Sequence, residues 1–565
     1  MELSPSTIRP WCLALTVVVF SAVCSARLAT NNLLCAIEHD VAIIGAGISG
    51  SYSAYKLRNE GLDIGMYEYS NRIGGRIYTE QLPNEPDQNL ELGGMAFVDG
   101  FHVLVQNHIR NLNLSEKIAL FGNDATYPDR VFRRGVSMTN TEFSTGDVPY
   151  NLTAEEKAQQ PVLLKYMFQK LTNDPLDNVT EDSVFELKVP DGRKLYTLSA
   201  REALGLVASP DAVRYLLDET HYDSDEVSAV NLVYETFGAH VVHFDKDDVH
   251  TMEEGYDQMV KDSVRIFLEA SFNHSIEMNM KLEAIRGTPG DYVLQFRRTV
   301  TVDDQTLELH NRESISTVCA KKVILGLAKY GLSQVDWSPL RSRHYKDLLA
   351  GTFSVHASKV FMTYESPWWL EQSKYPSKLV SASGLGRIYD WGVSNATGHH
   401  TLLVSFTQML NADKQWVTNS GLSESLLDHS IGGSLDFEIE NPLLVEPDSK
   451  IPRIPGSVYG ENRLTAPLKE HLYTRLAKVF GIPRCGIPDP LSSIARFWLR
   501  YPFGGGWVLV RPGYTYNELI NGYRRPSDTD DIFVVGTDYS TRDTYGWAEG
   551  ALWTVERVME QFFLP

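Results

Sequence analysis

Three glycines spaced as G-x-G-x-x-G, Gly45, Gly47 and Gly50, carry the clearest chemistry in this sequence. They follow a short apolar stretch at residues 41–44 and precede a stretch at 48–59 with apolar side chains at helical spacing. In a strand–turn–helix unit, the first glycine permits the turn, the second lets the backbone approach a pyrophosphate, and the third allows close helix–strand packing. The helix N-terminus offers N–H groups and a positive dipole end to phosphates. The motif therefore predicts a dinucleotide site.

Two features downstream belong to the same predicted site. A second predicted strand, residues 62–67, ends at Glu68, whose carboxylate can accept hydrogen bonds from a ribose hydroxyl. The run RIGGR, residues 72–76 and ending at Arg76, adds backbone amides and guanidinium groups suited to the pyrophosphate. This R-x-G-G-R run resembles the second dinucleotide element of the flavin-containing amine oxidases, which favours FAD over NAD.

The length and net charge of the chain indicate how many domains it has and which partners it does not bind. A chain of 565 residues is long enough for two or three domains. Its 52 basic and 72 acidic residues give a formal charge of −20. That balance argues against nucleic acid or an anionic membrane as a partner.

The N-terminus has the pattern of a secretory signal. Arg9 precedes an apolar run at 11–23, too short to span a bilayer, and small residues end at Ala26. We predict that residues 1–26 are cleaved and that the protein is secreted and extracellular; a membrane anchor is the alternative. No later stretch of the sequence is long and apolar enough to predict a membrane span.

Two further patterns fit the secretory route. Sequons for N-glycans occur at Asn113, Asn151, Asn178, Asn273 and Asn395. We expect some to be unused, since Asn273 lies beside a predicted buried strand. After cleavage three cysteines remain, Cys35, Cys319 and Cys485, so a disulfide would leave one unpaired, and the pairing stays open. With no C-x-x-C motif and no His/Cys cluster, the sequence predicts no metal site.

The order of the predicted elements indicates an α/β fold with discontinuous domains. We expect an FAD-binding, Rossmann-like (two-dinucleotide-binding) domain formed by residues 27–100, 245–335 and 500–565. Residues 101–244 contain helical periodicity at 101–111, 154–171, 200–207 and 211–218, which predicts an inserted helical domain. Residues 336–499 are expected to form a mixed-sheet substrate domain.

A lysine and two tryptophans are further candidates for the site. On the strand predicted at 355–364, Lys359 shares one face with Ala357 and Phe361. A lysine on an apolar face is costly unless partnered, and such a lysine usually reaches solvent. Trp507 follows a glycine-rich turn, and Trp547 precedes the predicted C-terminal helix, which ends near residue 562. Ordinary core packing is the alternative role of both tryptophans.

Taken in order, these pieces resemble the flavin monoamine oxidase superfamily over nearly the whole mature chain. The phrases that carry the resemblance are YSAYKLRNEG, YSNRIGGR, GDVPYNLTAEEKA, DGRKLY, VSAVN, KVIL, SKVFMTY, WWL, RYPF and DIFVVGTD. They are most similar to the secreted molluscan antibacterial L-amino-acid oxidases, the aplysianin, achacin and escapin group.

The resemblance implies a role for each matching residue. Lys359 would hold a water near the flavin, and Trp507 and Trp547 would line an aromatic pocket over the flavin. For an amine without a carboxylate, Trp507, Trp547 and Tyr389 are the candidates for an aromatic cage. The residues implied to contact FAD are Gly45, Gly47, Ser49, Gly50, Glu68, Arg76, Gly94, Met95, Ile276, Asp538, Trp547 and Ala548.

One residue departs from the pattern in a way that affects the substrate. After Gly-Gly-Met, L-amino-acid oxidases commonly carry an arginine that binds the substrate carboxylate, whereas this chain has Ala96. Arg387 is the candidate replacement. Asp538 stands where many relatives have glutamate, which is a milder change.

The predicted function is oxidation of L-amino acids by FAD and O2, giving a 2-oxo acid, ammonia and H2O2, with an antibacterial role. Because of Ala96, two alternatives stay open. One is an oxidase of amines or polyamines without a carboxylate, held in an aromatic cage. The other is an inactive FAD-binding protective glycoprotein. A homo-oligomer is a further expectation.

Overall fold

The computed structural model describes most of the chain beyond the predicted signal. The described residues are 35, 37–82, 85–121, 126–173, 179, 183–220, 227–231, 249–302, 305–382, 384–407, 464, 466–499, 501–540 and 547–564. The predicted signal peptide, the sequon at Asn178 and residues 408–463 of the predicted substrate domain lie outside them.

The described strands are numbered here in chain order. They are β1 (Glu38–Ile44), β2 (Ile64–Tyr67), β3 (Thr79–Glu80), β4 (Leu90–Glu91), β5 (Phe97–Val98), β6 (Ile118–Leu120), β7 (Arg130–Arg133), β8 (Val136–Thr139), β9 (Val249–Met252), β10 (His274–Glu277), β11 (Met280–Thr288), β12 (Asp291–Val302), β13 (Gln305–Glu308), β14 (Ile315–Leu325), β15 (Thr352–Val355), β16 (Ser358–Tyr364), β17 (Leu379–Ala382), β18 (Gly386–Val393), β19 (His400–Thr407), β20 (Ser492–Phe497), β21 (Trp507–Val510) and β22 (Ile532–Val534).

The described α-helices are numbered in the same way. They are α1 (Ile48–Leu57), α2 (Val103–Asn111), α3 (Asn140–Thr145), α4 (Ala154–Ala158), α5 (Leu163–Thr172), α6 (Ala200–Gly205), α7 (Pro210–Thr220), α8 (Gln258–Ala270), α9 (Lys329–Ser333), α10 (Arg343–Ala350), α11 (Trp368–Glu371), α12 (Ala466–Phe480), α13 (Tyr516–Arg524) and α14 (Ala548–Val558).

A five-stranded parallel sheet organises the first half of the fold, in the order β10-β2-β1-β14-β22. Its strands are apolar on both faces, as buried parallel strands are. In β1, Val41 and Ile43 pack with α1, α8 and α14, while Ala42 and Ile44 face a second core that includes α10 and α13. The sheet is therefore covered by helices on both faces, as an α/β fold requires.

An antiparallel extension continues from the parallel sheet. The first part of β14 pairs with β12, which also pairs with β11 and β13. Cys319, in β14, forms a disulfide with Cys35, 284 residues away, and Cys485 is free and exposed. The pairing that the sequence left open is thus set by β14, which places Cys319 beside the start of β1.

The second large sheet contains seven strands in the order β20-β16-β19-β18-β17-β7-β8. Neighbours are antiparallel except β17 and β7. In β16, Val360 and Met362 pack into a core formed with α11 and α12. Phe361 points to the opposite face, into a smaller apolar cluster that also contains Ala357. That face lies towards the parallel sheet's domain and carries the candidate site.

The region predicted to be helical, 101–244, also contains strands, since β6 pairs with β9, and β7 and β8 belong to the seven-stranded sheet. One of its predicted helices is also divided. Periodicity predicts one helix over 154–171, but α4 ends at Ala158, a 3-10 turn covers Gln160–Val162, and α5 begins at Leu163. Pro161 explains the break, because proline lacks the N–H that a helix interior needs. Elsewhere, α4 begins with a capping box between Thr153 and Glu156, a signal that is readable from sequence.

The C-terminal segment is helical, as predicted, but only its first part is an α-helix. α14 begins at Ala548 and continues as a π-helix over Met559–Phe563. Glu549, in its first turn, accepts hydrogen bonds from the N–H groups of Leu104 and Val105, both at 2.9 Å. A carboxylate of α14 therefore caps the N-terminus of α2 and fixes the two helices against each other.

Candidate functional site

The glycine turn lies at the carboxyl end of β1. Gly45 has φ +96°, and a Cβ there would stand 2.6 Å from the Gly326 carbonyl oxygen. A Cβ on Gly50 would stand 1.8 Å from the Gly45 oxygen, so these two positions exclude any side chain. At Gly47 the nearest atom to a Cβ is 3.6 Å away, and this residue caps α1 without a side-chain hydrogen bond. The α1 N-terminus, where Ser49 lies, thus has the form of an anion site.

Glu68 closes one side of this turn. Its Oε2 accepts the Ala46 N–H at 2.8 Å, and its Oε1 accepts the N–H and hydroxyl of Ser70 at 3.0 and 2.9 Å. Ile276 lies in β10 opposite Met66, at the same carboxyl edge of the sheet. Parallel pairing therefore brings the predicted ribose and adenine contacts to the edge that holds the glycine turn.

The R-x-G-G-R segment lies across the glycine turn. The Gly74 N–H donates to the Ala46 carbonyl at 2.9 Å, and Gly74 forms an isolated bridge with Gly47. A Cβ on Gly75 would lie 3.1 Å from the Gly47 Cα. The two dinucleotide motifs thus form one backbone cradle, in which glycines permit the close approach.

Arg76 and Asp538 link three separate parts of the chain. The Arg76 Nη1 donates to Asp538 Oδ1 at 2.7 Å and to the Gly506 carbonyl at 2.9 Å. Asp538 is 2% exposed, and its Oδ2 accepts the Lys329 N–H at 2.8 Å. The carboxylate therefore positions Arg76 and, through Gly506, the turn that precedes Trp507.

Lys359 is buried at 1% exposure on β16. Its Nζ donates to the carbonyls of Glu91 and Gly93 at 2.7 and 2.6 Å, and lies 3.1 Å from the Met95 Sδ. It also lies 4.7 Å from the ring centroid of Phe406. The usual expectation that such a lysine reaches solvent is wrong here, because the segment containing Gly93 and Met95 supplies its hydrogen-bond acceptors.

Burial acts on the protonation of Lys359 and Glu91 in opposite senses. Burial lowers the pKa of Lys359 below the ordinary lysine value, and the Glu91 charge partly offsets that effect. Burial raises the pKa of Glu91, against hydrogen bonds from the Tyr256 N–H and the Thr79 hydroxyl. Both shifts favour the neutral forms, so this lysine is able to change its protonation state much nearer neutral pH than an exposed one.

An aromatic wall stands on the Lys359 face of the seven-stranded sheet. Phe406 is directly opposite Lys359 across the β16–β19 pair, and across the β19–β18 pair it is opposite both Gly386 and Arg387, where the register shifts. Side chains of directly opposite residues share a face. Phe406, Tyr389 and Trp507 each pack against the apolar cluster that contains Phe361. Lys359, Phe406, Tyr389 and Trp507 are thereby brought together.

Arg387 stands at the rim of this wall. It is exposed, and its Nη1 lies 3.5 Å from the Tyr389 hydroxyl. Ala96 is buried at 7% exposure, so its position offers a methyl group where an arginine would be expected. Arg387 is not alone on this face, because Arg496 is directly opposite Lys359 across the β16–β20 pair, with its guanidinium 4.8 Å from the centroid of the Trp498 ring.

Trp547 contacts the residue that precedes Asp538. Its carbonyl accepts the Thr537 hydroxyl at 3.0 Å, and its ring lies 4.5 Å from His102. Trp547 is 37% exposed. It is the N-cap residue of α14 and makes no side-chain capping hydrogen bond, so the first N–H groups of the helix, including that of Ala548, receive no acceptor from it. Gly94, which lies near Ile77 and Tyr256, is also exposed.

Sequence reasoning missed Glu91, Phe406 and His102. Glu91 stands two residues before the Gly93–Gly94 pair, but an acidic residue before glycines is indistinguishable from a surface residue in sequence. Phe406 falls in an alternating strand pattern whose face only the sheet register identifies. His102 had no motif to mark it.

The residues present fit a dinucleotide with a flavin. Two glycine segments that approach each other closely leave backbone N–H groups without side chains over them, and the Glu68 carboxylate lies beside the turn. The N-terminus of α14 is a second helix N-terminus without a side-chain cap. This donor set suits a pyrophosphate, a ribose and the polar edge of an isoalloxazine ring.

Comparison with known proteins agrees with the geometry. Residues 48–429 match the family described as flavin containing amine oxidoreductase. The chain is 36% identical to aplysianin-A of Aplysia kurodai, over 98% of this chain and 96% of that protein. It is 37% identical to achacin of Lissachatina fulica, over 94% of each. A mouse protein named L-amino-acid oxidase is 24% identical over 62% of this chain and 54% of its own length.

A solved structure shows the same fold. Putrescine oxidase, wild type bound to putrescine, superposes with a TM-score of 0.62 at 17% identity, over 94% of this chain and 100% of that chain. The predicted α/β fold with an FAD-binding unit is confirmed. Among the described residues, no helix has the length and apolar character of a membrane span, and no group of three or more His, Cys, Asp or Glu side chains is placed to hold a metal ion.

Proposed function

This chain belongs to the family of flavin containing amine oxidoreductases, and from that membership we propose that its substrates are L-amino acids. The protein is an FAD-dependent oxidase, with an amine substrate and O2 as its small-molecule partners. The observation that carries the choice of substrate is Arg387 beside Tyr389, on the sheet face that holds the buried Lys359. A guanidinium and a phenol at one rim suit a carboxylate.

The cofactor site is proposed from the cradle described above. The glycine turn with Ser49, together with Arg76, would hold the pyrophosphate, and Glu68 and Ile276 would hold the adenosine half. The flavin half would be held by Gly94, Met95, Asp538, Trp547 and Ala548. When bound, FAD supplies the chemistry that takes a hydride from the amine-bearing carbon and passes two electrons to O2.

The chain's own residues orient the substrate and exclude water. Trp507, Tyr389 and Phe406 form an apolar wall in which the carbon skeleton loses its hydration. Arg387 would hold the carboxylate, which fixes the orientation of the reacting carbon. Lys359, whose buried Nζ donates to the Glu91 and Gly93 carbonyls, would hold a water and would act on the reacting atoms through it. The product imine then hydrolyses in water to a 2-oxo acid and ammonia.

Ala96 supports a second candidate substrate, an amine without a carboxylate. A buried methyl group at that position removes the arginine that L-amino-acid oxidases commonly use. In that case the aromatic wall and Trp547 would act as a cage for the ammonium group. A protein that binds FAD without turnover, with a protective role, is the third candidate.

Secretion, processing and assembly belong to the same proposal. We propose cleavage after residue 26, N-glycans on exposed sequons, and an antibacterial role through the H2O2 produced. The domain limits given above, 27–100 with 245–335 and 500–565, 101–244, and 336–499, stay a proposal, in which β7 and β8 of segment 101–244 join the seven-stranded sheet of segment 336–499. Self-association into a homo-oligomer is a further proposal.

Anaerobic bleaching of the bound flavin tests the substrate directly. The purified secreted protein is mixed with the common L-amino acids, the matching D-amino acids, and a panel of simple amines and polyamines. Bleaching by L-amino acids alone is the expected result. Bleaching by amines alone would establish the second candidate, and a bound yellow cofactor that no compound bleaches would establish the third.

A further inference from the structure

Phe272 is an outlier on the surface. It lies in the loop between α8 and β10 and is 99% exposed, whereas Leu120, at 54%, is the next among the exposed large apolar side chains of the described residues. The strand that follows, β10, is the edge of the parallel sheet and pairs only with β2 in the described part of the chain. An exposed aromatic ring beside an unpaired strand edge favours self-association.

The next residue, Asn273, begins the sequon Asn273-His274-Ser275. Its N–H donates to the Ser271 hydroxyl at 3.2 Å, and its carbonyl accepts the Ile64 N–H at 3.3 Å, so the backbone is held in place. His274 is buried, with its ring 4.3 Å from that of Phe267. Asn273 itself is exposed, so its amide points away from the sheet, contrary to our expectation of a sequon obscured by a buried strand.

The position is remote from the candidate active site. Asn273 precedes the first residue of β10, and β10 runs parallel to β1 and β2. The glycine turn and Glu68 lie at the carboxyl ends of those strands, which is the opposite edge of the sheet. A bulky group on Asn273 would therefore leave the cofactor cradle accessible.

We propose that Asn273 carries an N-linked glycan that covers Phe272 and the free edge of β10. The inference rests on the proposed secretion. In the modification, the Asn273 amide nitrogen loses a proton and bonds to the anomeric carbon of an oligosaccharide, while that carbon's bond to its lipid diphosphate carrier breaks. The hydrated sugar then occupies the space in which a second chain would otherwise contact Phe272.

Glycopeptide mass spectrometry of the full chain, secreted from a eukaryotic host, tests the site. The expected result is a glycan at Asn273 that an N-glycan-releasing glycosidase removes, leaving aspartate. A glycan at Asn113 and none at Asn273 would overturn the inference about Asn273 but would still agree with secretion. A chain that is retained without glycan on any sequon would overturn both, while its oxidase activity would still be assayed independently.

Sedimentation velocity tests the shielding. N273Q is expected to form larger species than the wild-type protein at equal concentration, and F272S/N273Q is expected to return to the wild-type distribution. N113Q is the matched control, since it removes a glycan from a position flanked by the buried Leu112. Turnover per flavin should be unchanged in all three variants. An N273Q protein that sediments like the wild type would overturn the shielding role.

Discussion

Lys359 shows how a single residue depends on its neighbours. Transfer of an ammonium group to an apolar interior is costly, and here carbonyls of Glu91 and Gly93 compensate for that cost with two short hydrogen bonds. Both acceptors come from a different segment of the chain, which also contains Met95. The lysine is therefore held at the place where two domains' segments meet, and its amine cannot turn to solvent.

K359M tests the role of the amine. The variant should keep its flavin, since Lys359 lies outside the glycine cradle, but flavin reoxidation by O2 should slow by roughly a hundredfold, the scale of a lost proton-transfer group. Stopped-flow absorbance measures that step. K321M, which removes an exposed lysine paired with Asp40 at 2.7 Å, is the control and should react normally. Equal reoxidation rates in K359M and the wild type would rule out the role.

R387M tests the carboxylate contact. Loss of a charged hydrogen bond of about 2 kcal/mol should raise KM for L-amino acids by roughly thirtyfold. The kcat for the same substrates should change much less, and flavin content should stay the same. Steady-state peroxide production measures both constants. An amine without a carboxylate serves as the control substrate, and an equal loss for that amine would show that Arg387 does not bind a carboxylate.

At the scale of elements, the strand–turn–helix unit from β1 to α1 is built to approach other backbones closely. Gly45 adopts a positive φ, Gly50 packs on the Gly45 carbonyl, and Gly75 packs on Gly47. These contacts place the R-x-G-G-R segment on the turn. Helix α14 adds a second N-terminus whose position depends on Glu549 capping α2.

The glycines of this turn should differ sharply on substitution. G50A places a Cβ 1.8 Å from a backbone oxygen and should prevent stable folding. G47A has a normal backbone φ of −73° and no contact closer than 3.6 Å, so it should fold. Its methyl group should nonetheless obstruct the pyrophosphate and reduce FAD content severely. Circular dichroism and the flavin-to-protein absorbance ratio separate the two effects, and a fully flavinated G47A protein would contradict this account.

At the scale of the whole molecule, buried histidines tie stability to pH. Burial lowers the pKa of His102 to about 4 and that of His108 to about 3. His108 lies between the rings of Tyr52 and Tyr55 and bonds to Ser263 at 2.7 Å. Both imidazoles are neutral in the folded protein at pH 6, whereas unfolded histidines titrate near 6.5.

Acid should therefore destabilise the fold through these groups. Below pH 6.5 the unfolded chain binds more protons than the folded protein does. The contribution of the two neutral histidines to the free energy of unfolding is therefore fully present above that pH and falls as the pH drops towards 4. The loss is about 1 kcal/mol per histidine between pH 6 and 5. Chemical denaturation of H108F should show a shallower loss of unfolding free energy over this interval than the wild type. H344Q, at an exposed site on α10, is the control and should show the wild-type dependence of unfolding free energy on pH. If H108F showed that same dependence, the buried His108 would not be responsible for the loss.

Local sequence patterns alone were enough to predict the nucleotide cradle and several helices of this protein. The motif glycines, Glu68 and the R-x-G-G-R run specify a nucleotide cradle because backbone approach to phosphate needs those residues at fixed spacing. The predicted helices at 101–111 and 211–218 and at the C-terminus correspond to α2, α7 and α14, with bounds in error by a few residues. Pro161 was the local signal that the predicted helix over 154–171 overlooked.

Only the tertiary structure decided which distant residues meet. The register of β16 with β19 places Phe406 opposite Lys359, and that of β19 with β18 places Arg387 opposite Phe406, and no local pattern contains that information. The Arg76–Asp538 pair and the Cys35–Cys319 disulfide join residues hundreds of positions apart. A one-residue change of strand register would send each side chain to the other face, so these contacts follow from sheet assembly and not from composition.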